Sequence, residues 1–167
     1  MAETRWLDER EQRAWRGLLA MHTQLTARMH RDLQADSGLS LADFDVLVQL
    51  TDQAEPSLRF GDLAEALQWE KSRLSHHLAR MEKRGLVSRK PSKDDARGNI
   101  VSLTRLGRTA IEQAAPAHVE KVRHLVFDQL DENQVDTLAA ITEAVLARLN
   151  APRAASAERA GHDGTAA

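Results

Sequence analysis

The sequence predicts a mainly α-helical fold with a small β-hairpin, and three observations carry that prediction. Apolar residues recur at helical spacings of three, four and seven through most of the chain. That period gives way to alternation between residues 87 and 104, where two short β-favouring runs flank SKDDARGN, a stretch of turn formers and charge. Composition agrees: of 167 residues, 42% are hydrophobic, enough for a core, whereas aromatics make up only 4% and tyrosine is absent. Such a chain reads as a helical, soluble protein.

The elements follow in order. Residues 8–35 place Trp15, Leu18, Leu25, Met29 and Leu33 on one face, with Leu19 and His22 beside them, and Asp36-Ser37-Gly38 ends the helix. Ser40, with Asp43 three residues on, has the form of an N-cap for a second helix at 41–53 carrying Leu41, Phe44, Val46, Leu47 and Leu50. Pro56 marks a break, and Leu58-Arg59-Phe60 reads as a minimal strand. A third helix at 61–68 turns Leu63 and Leu67 inward, and Gln68-Trp69 is the turn that follows, with Trp69 as a packing residue.

The fourth helix is EKSRLSHHLARMEKRG, residues 70–85. Leu74, Leu78 and Met81 form one narrow stripe, Ser72, Arg73, His76, Arg80 and Lys83 crowd the other side, and Gly85 supplies a C-terminal stop. Beyond it Val87, Arg89 and Pro91 alternate with Ser88 and Lys90, and residues 100–104 form a second short run, so the two read as a hairpin with a projecting loop. Residues 105–130 are helical again, with Leu106, Ile111, Val119, Val122, Leu125 and Val126 inward and Pro116 expected to kink the helix. A last helix at 134–149 rests on Leu138, Ile141, Val145 and Leu149, and residues 150–167 read as a disordered tail without the apolar mass to fold.

Helix, helix, short strand, helix, helix, hairpin and two further helices is the order of a winged helix-turn-helix. The chain divides into an N-terminal helix of a dimerisation region at 8–35, a winged helix-turn-helix lobe at 40–108, C-terminal dimerisation helices at 105–149 and the tail at 150–167. The terminal helices are too long and too apolar to serve so small a core alone, and the simplest cover for their stripes is a second copy of the chain.

Charge is segregated. Residues 70–108 carry eleven Lys/Arg against four Asp/Glu, a net of +7, while the rest of the chain carries −9 and the whole −2. A positive block in an acidic frame suits a surface that meets a polyanion. Other classes fall away. There is no cysteine, which removes disulfides, cysteine-ligated zinc and thiol redox chemistry. No apolar run approaches about 18 residues, so no membrane span is expected. The charged start, MAETRWLDEREQRAW, is unlike a secretory signal, and the expected address is the cytoplasm. His22 and His30 lie eight apart and His118 and His124 six apart, spacings that do not put a pair on one helix face, so neither metal nor other cofactor is expected. No phosphate loop, nucleophile elbow or Cys/His pair is present, and no enzymatic activity is expected.

Two stretches resemble the MarR family of dimeric winged-helix transcription regulators, a resemblance that covers about residues 10–149. KSRLSHHLARMEKRGLVSR, residues 71–89, is similar to the family's recognition helix and its exit into the wing. DDARGNIVSLTRLG, residues 94–107, is similar to its wing pattern, with Asp95, Arg97, Val101, Leu103, Thr104 and Gly107 at the matching positions. The resemblance implies a homodimer that represses by binding double-stranded DNA at a pseudo-palindromic operator. Ser72, Arg73, Ser75, His76, His77, Arg80, Lys83 and Arg84 would serve the recognition helix in the major groove, and Lys90, Lys93, Asp95 and Arg97 the wing in the minor groove. His76 stands where members often carry arginine, and His77 lies nearer the core side, where packing and phosphate contact are both open. The family further implies a small aromatic or phenolic effector, for which Trp15, His22, Met29 and Phe44 are candidate lining residues. From a different class, a winged-helix protein-interaction module could dock an acidic partner on the same surface. Such a module would have no need of an Asp95–Arg97 pair on a basic loop.

Overall fold

The computed structural model describes residues 4–91 and 99–151, in two compact units, one up to Val122 and one from Arg123. Among the described residues ten elements follow one another: α1 (Glu9–Ser37), α2 (Leu41–Thr51), β1 (Ser57–Arg59), α3 (Phe60–Ala66), α4 (Lys71–Lys83), β2 (Val87–Pro91), β3 (Asn99–Leu103), α5 (Arg105–Leu125), a 3-10 turn (Phe127–Gln129) and α6 (Glu132–Asn150). Three helices begin with a reciprocal capping box: Asp8 with Glu11 for α1, Ser40 with Asp43 for α2, and Asp131 with Gln134 for α6.

The first unit is built on a core in which Val46, Leu47 and Leu50 of α2, Leu63 of α3 and Leu74, Leu78 and Met81 of α4 are wholly buried with Val101 of β3. Each such side chain stabilises the fold by about 1.5–3 kcal/mol, so the narrow stripe on α4 is enough to seat that helix firmly. The C-terminus of α4 is closed by a Schellman motif. Leu86 N–H donates to Met81 O at 3.0 Å and Gly85 N–H to Glu82 O at 2.9 Å. Gly85 sits at φ +72°, the left-handed region that a glycine enters without a Cβ penalty.

The expected hairpin is present as β2 and β3, but it is part of a three-stranded antiparallel sheet in the order β1-β3-β2, with Leu58 opposite Val101 and Val101 opposite Arg89. Three expectations for the C-terminal half need correction. The helix predicted to run to residue 130 ends at Leu125, and Val126 leaves helical geometry with φ −122° and ψ −67° before the 3-10 turn. Leu106 and Val119, expected inward on α5, are 56% and 54% exposed. Ile111 is buried as expected, and the rest of the buried face of α5 in the first unit is Gly107 and Ala114, small residues that let the helix approach closely. The predicted inward stripe of α6 is likewise open in a single chain: Ile141, Val145 and Leu149 are exposed, as are Trp15, Leu18 and Leu19 on α1. Among the described residues no helix is long and apolar enough to cross a membrane.

Candidate nucleic-acid interface

The α4 periodicity sorts the candidate residues into those that face out and those that do not. Lys71, Ser72, Arg73, Ser75, His76, Arg80, Lys83 and Arg84 are exposed, opposite Leu74, Leu78 and Met81. Arg73 is steadied from below, its guanidinium 4.2 Å from the centroid of the Trp69 ring. That is within cation–π range. The Trp69 ring in turn meets His77 edge-on at 5.3 Å, so Trp69 packs, as expected, and its exposed face carries an arginine.

Two residues assigned to the DNA face belong elsewhere. His77 is buried: it sits three residues after Leu74 and four before Met81, on the apolar stripe itself. Its Nε2 lies 3.0 Å from Asp43 Oδ1, a close polar contact whose alignment falls short of a good hydrogen bond. Arg84 is committed to the scaffold rather than to an outside anion, since Nη1 donates to Asp43 Oδ2 at 2.7 Å and Nη2 to Gly38 O at 2.9 Å. Arg89, counted in the positive block, donates to Glu82 Oε2 through Nε at 3.0 Å and Nη2 at 2.8 Å, which holds the Glu82 carboxyl below its usual range. The positive surface therefore rests on Lys71, Arg73, Arg80, Lys83 and Lys90, the last exposed near the end of β2. Lys93, Asp95 and Arg97, the remaining wing residues, lie outside the described residues.

Asp43, which its spacing from Ser40 marks only as part of a helix cap, has a second role. Its carboxylate accepts from Ser40 N–H at 2.9 Å, from Arg84 at 2.7 Å, and faces His77. Burial pushes this carboxyl up, but the contacts from His77, Ser40 and Arg84 outweigh burial and hold it well below the usual carboxylate range. Asp45, two residues on, goes the other way: burial raises it, against the opposing pull of Arg73 and His77. Sequence could have shown that His77 is inward, by its spacing. Nothing local shows that its partner is an acid 34 positions earlier.

The four effector-pocket candidates do not come together as expected. Met29 and Phe44 are buried, whereas Trp15 and His22 are exposed. A cleft of about 320 Å³ opens instead between α1 and α5, lined among others by Asp32, Asp36, Gln113, Ala114, His118 and Lys121. None of the four lines it; Phe44 touches the lining residue His118, the two rings tilted at 39° with centroids 4.4 Å apart. Burial and the neighbouring Lys121 both push the His118 imidazole down. Lys121 pairs with Asp36 and Arg28 with Asp32, so the acids of the cleft are largely neutralised.

The end of the hairpin is tied to the exit of α4 by one side chain. Thr104 donates its hydroxyl to Gly85 O at 2.6 Å and accepts from Gly107 N–H at 2.9 Å, while its backbone N–H donates to Leu86 O. Thr104 thus caps α5 and fixes the wing relative to α4, which is the physical content of the Leu-Thr-x-x-Gly pattern.

Two helices joined by a short turn, a sheet-bearing hairpin after them and donors along the outer side of the second helix define a winged helix-turn-helix protein. The sequence profile of the MarR family matches residues 37–98. The chain is 37% identical to AbsC, a MarR family transcriptional regulator from Streptomyces coelicolor, with a TM-score of 0.83, covering 87% of this chain and 98% of that one. It is equally 37% identical to Sco3205 of the same organism, a MarR family regulator solved in complex with DNA, with a TM-score of 0.86 and coverage of 90% and 94%. The HTH-type transcriptional repressor YetL of Bacillus subtilis is 29% identical over 100 residues, an alignment that spans 60% of either protein. The chain belongs to the MarR family of transcriptional regulators.

Proposed function

We propose that the protein is a homodimeric repressor that reads a pseudo-palindromic operator, with α4 in the major groove and the wing around residues 92–100 in the minor groove. The observation that carries this reading is the division of α4: three wholly buried apolar residues on one side, and Ser72, Arg73, Ser75, His76, Arg80 and Lys83 exposed on the other. Arginine can bond guanine bidentately, and lysine neutralises phosphate. Arg97, with Asp95 two positions before it, supplies the minor-groove contact in this reading. A second copy covers the exposed apolar residues of α1 and α6, and sets two copies of α4 about 34 Å apart, one turn of the duplex. The crystallised DNA complex of Sco3205 supports the reading by likeness.

The test is DNA protection with wild type and Arg73→Ala side by side at two salt concentrations, on a duplex selected from a randomised pool. Two protected halves about ten base pairs apart are expected. Arg73→Ala should weaken specific binding by about 1–3 kcal/mol, roughly 5- to 150-fold. Weak binding that salt abolishes and the substitution leaves unchanged would instead favour a module that docks an acidic protein.

A further inference from the structure

We propose that His77 and Asp43 are positioning residues for DNA recognition, which act by orienting Arg80. This inference rests on the functional reading above and adds to it a relay from the core to the groove-facing side of α4. Arg80 Nη2 lies 3.0 Å from His77 Nδ1. A guanidinium carries only donors, so Nδ1 must be the accepting, unprotonated nitrogen of the ring. The ring proton is thereby placed on Nε2, the atom that faces Asp43 Oδ1 at 3.0 Å. The chain of contacts runs from an ionised, buried carboxylate on α2, through a buried neutral imidazole, to an exposed cation on α4.

The geometry around this relay favours it. Asp43 is itself fixed by Ser40 and Arg84, so it cannot follow the ring. The Trp69 ring closes on His77 edge-on and Arg73 covers Trp69, so Arg73 and Arg80 rest on two rings packed against each other. An exposed arginine is ordinarily free among many rotamers, and ordering it on binding lowers affinity. A pre-formed acceptor beneath Arg80 removes part of that loss before DNA arrives. The loss of such ordering corresponds to about 3- to 10-fold in affinity.

The test is a double-mutant cycle on the ratio of affinities for the pool-selected duplex and a scrambled duplex of the same composition. His77→Gln keeps a donor near the Nε2 position for Asp43 but withdraws the Nδ1 acceptor from Arg80. It should lower the ratio about 3- to 10-fold in the wild-type background and leave it unchanged in an Arg80→Ala background. His77→Asn keeps an acceptor near the Nδ1 position and should restore most of the ratio; should His77→Gln fail to fold, this variant carries the test. Equal losses from His77→Gln in both backgrounds would overturn the proposal, as would a His77→Asn protein no better than His77→Gln. An Arg80→Ala protein with the wild-type ratio would also overturn it, while a loss in Arg73→Ala measured alongside would keep the DNA-binding reading intact. Absence of any selected duplex for wild type would remove that reading, and the proposal with it.

Discussion

Replacing Gly107 by alanine should destabilise the first unit by about 3 kcal/mol or more, at or above the upper end of ordinary overpacking costs. A Cβ at this position would stand 2.0 Å from Leu86 O, 2.9 Å from Leu103 Cδ1 and 3.0 Å from Leu86 C. The first and last of these neighbours are backbone, not the end of a side chain that can swing aside. The backbone cannot retreat cheaply either. Leu86 O accepts from Thr104 N–H, Leu86 N–H closes the α4 terminus, and Leu86 is buried. Relieving the clash therefore means giving up the tie between α4 and the hairpin, and with it the relation between recognition helix and wing. Gly61→Ala is the matched control. That residue is exposed in α3 and an added Cβ meets nothing within 4 Å, so alanine there should be neutral or stabilising by about 0.5 kcal/mol. Urea unfolding of the three proteins measures both effects. A Gly107→Ala protein within about 1 kcal/mol of wild type would show that Leu86 can move and that the close approach is not required.

The same residue marks how far the sequence alone carries. Gly107 stands out as part of a pattern, but the reason, a helix start pressed against the carbonyl of Leu86, is a tertiary distance. Periodicity locates α4 and its stripe because Leu74, Leu78 and Met81 are close in sequence and their burial is decided by one helix. The Ser40–Asp43 box is legible for the same reason. Legibility stops where a side chain's fate depends on a distant partner. Charge counting treats Arg84 and Arg89 as free cations, yet Asp43 and Glu82 hold them. Leu106 and Val119 keep the helical period but are exposed in a single chain, since periodicity shows a stripe and not which neighbour covers it. Val122, Leu125 and Val126 sustain the helical period, so periodicity carries the helix to residue 130 although the chain leaves it after Leu125. The Asp131 cap, whose box requires extended backbone before α6, is the local signal that the chain has left the helix.

Asp43→Ala should cost about 3 kcal/mol at neutral pH, the lower end of the range for breaking a buried ion pair, because Arg84 is still partly open to water. It should lower the melting temperature by about 10 °C. Three losses combine. The α2 capping box loses its reciprocal acceptor, Arg84 loses its bond at 2.7 Å, and the buried His77 loses the group its Nε2 faces. The pH dependence separates this from a plain packing defect. The folded-state carboxyl is held far below its unfolded value, so its stabilisation is fully present above about pH 4, the ordinary aspartate range. It is lost as pH falls from there towards the folded-state value. The gap in unfolding free energy between wild type and Asp43→Ala should therefore be constant from pH 7 to about pH 5 and narrow below about pH 4. Asp45 works in the opposite sense, since burial raises it and its protonation relieves a buried charge as pH falls. That contribution is common to both proteins and drops out of their difference. A gap that stays constant down to about pH 3 would mean that Asp43 holds α2 and α4 together by shape alone. A narrowing gap identifies its charge as a contribution to the seating of α4 beyond the buried stripe of Leu74, Leu78 and Met81.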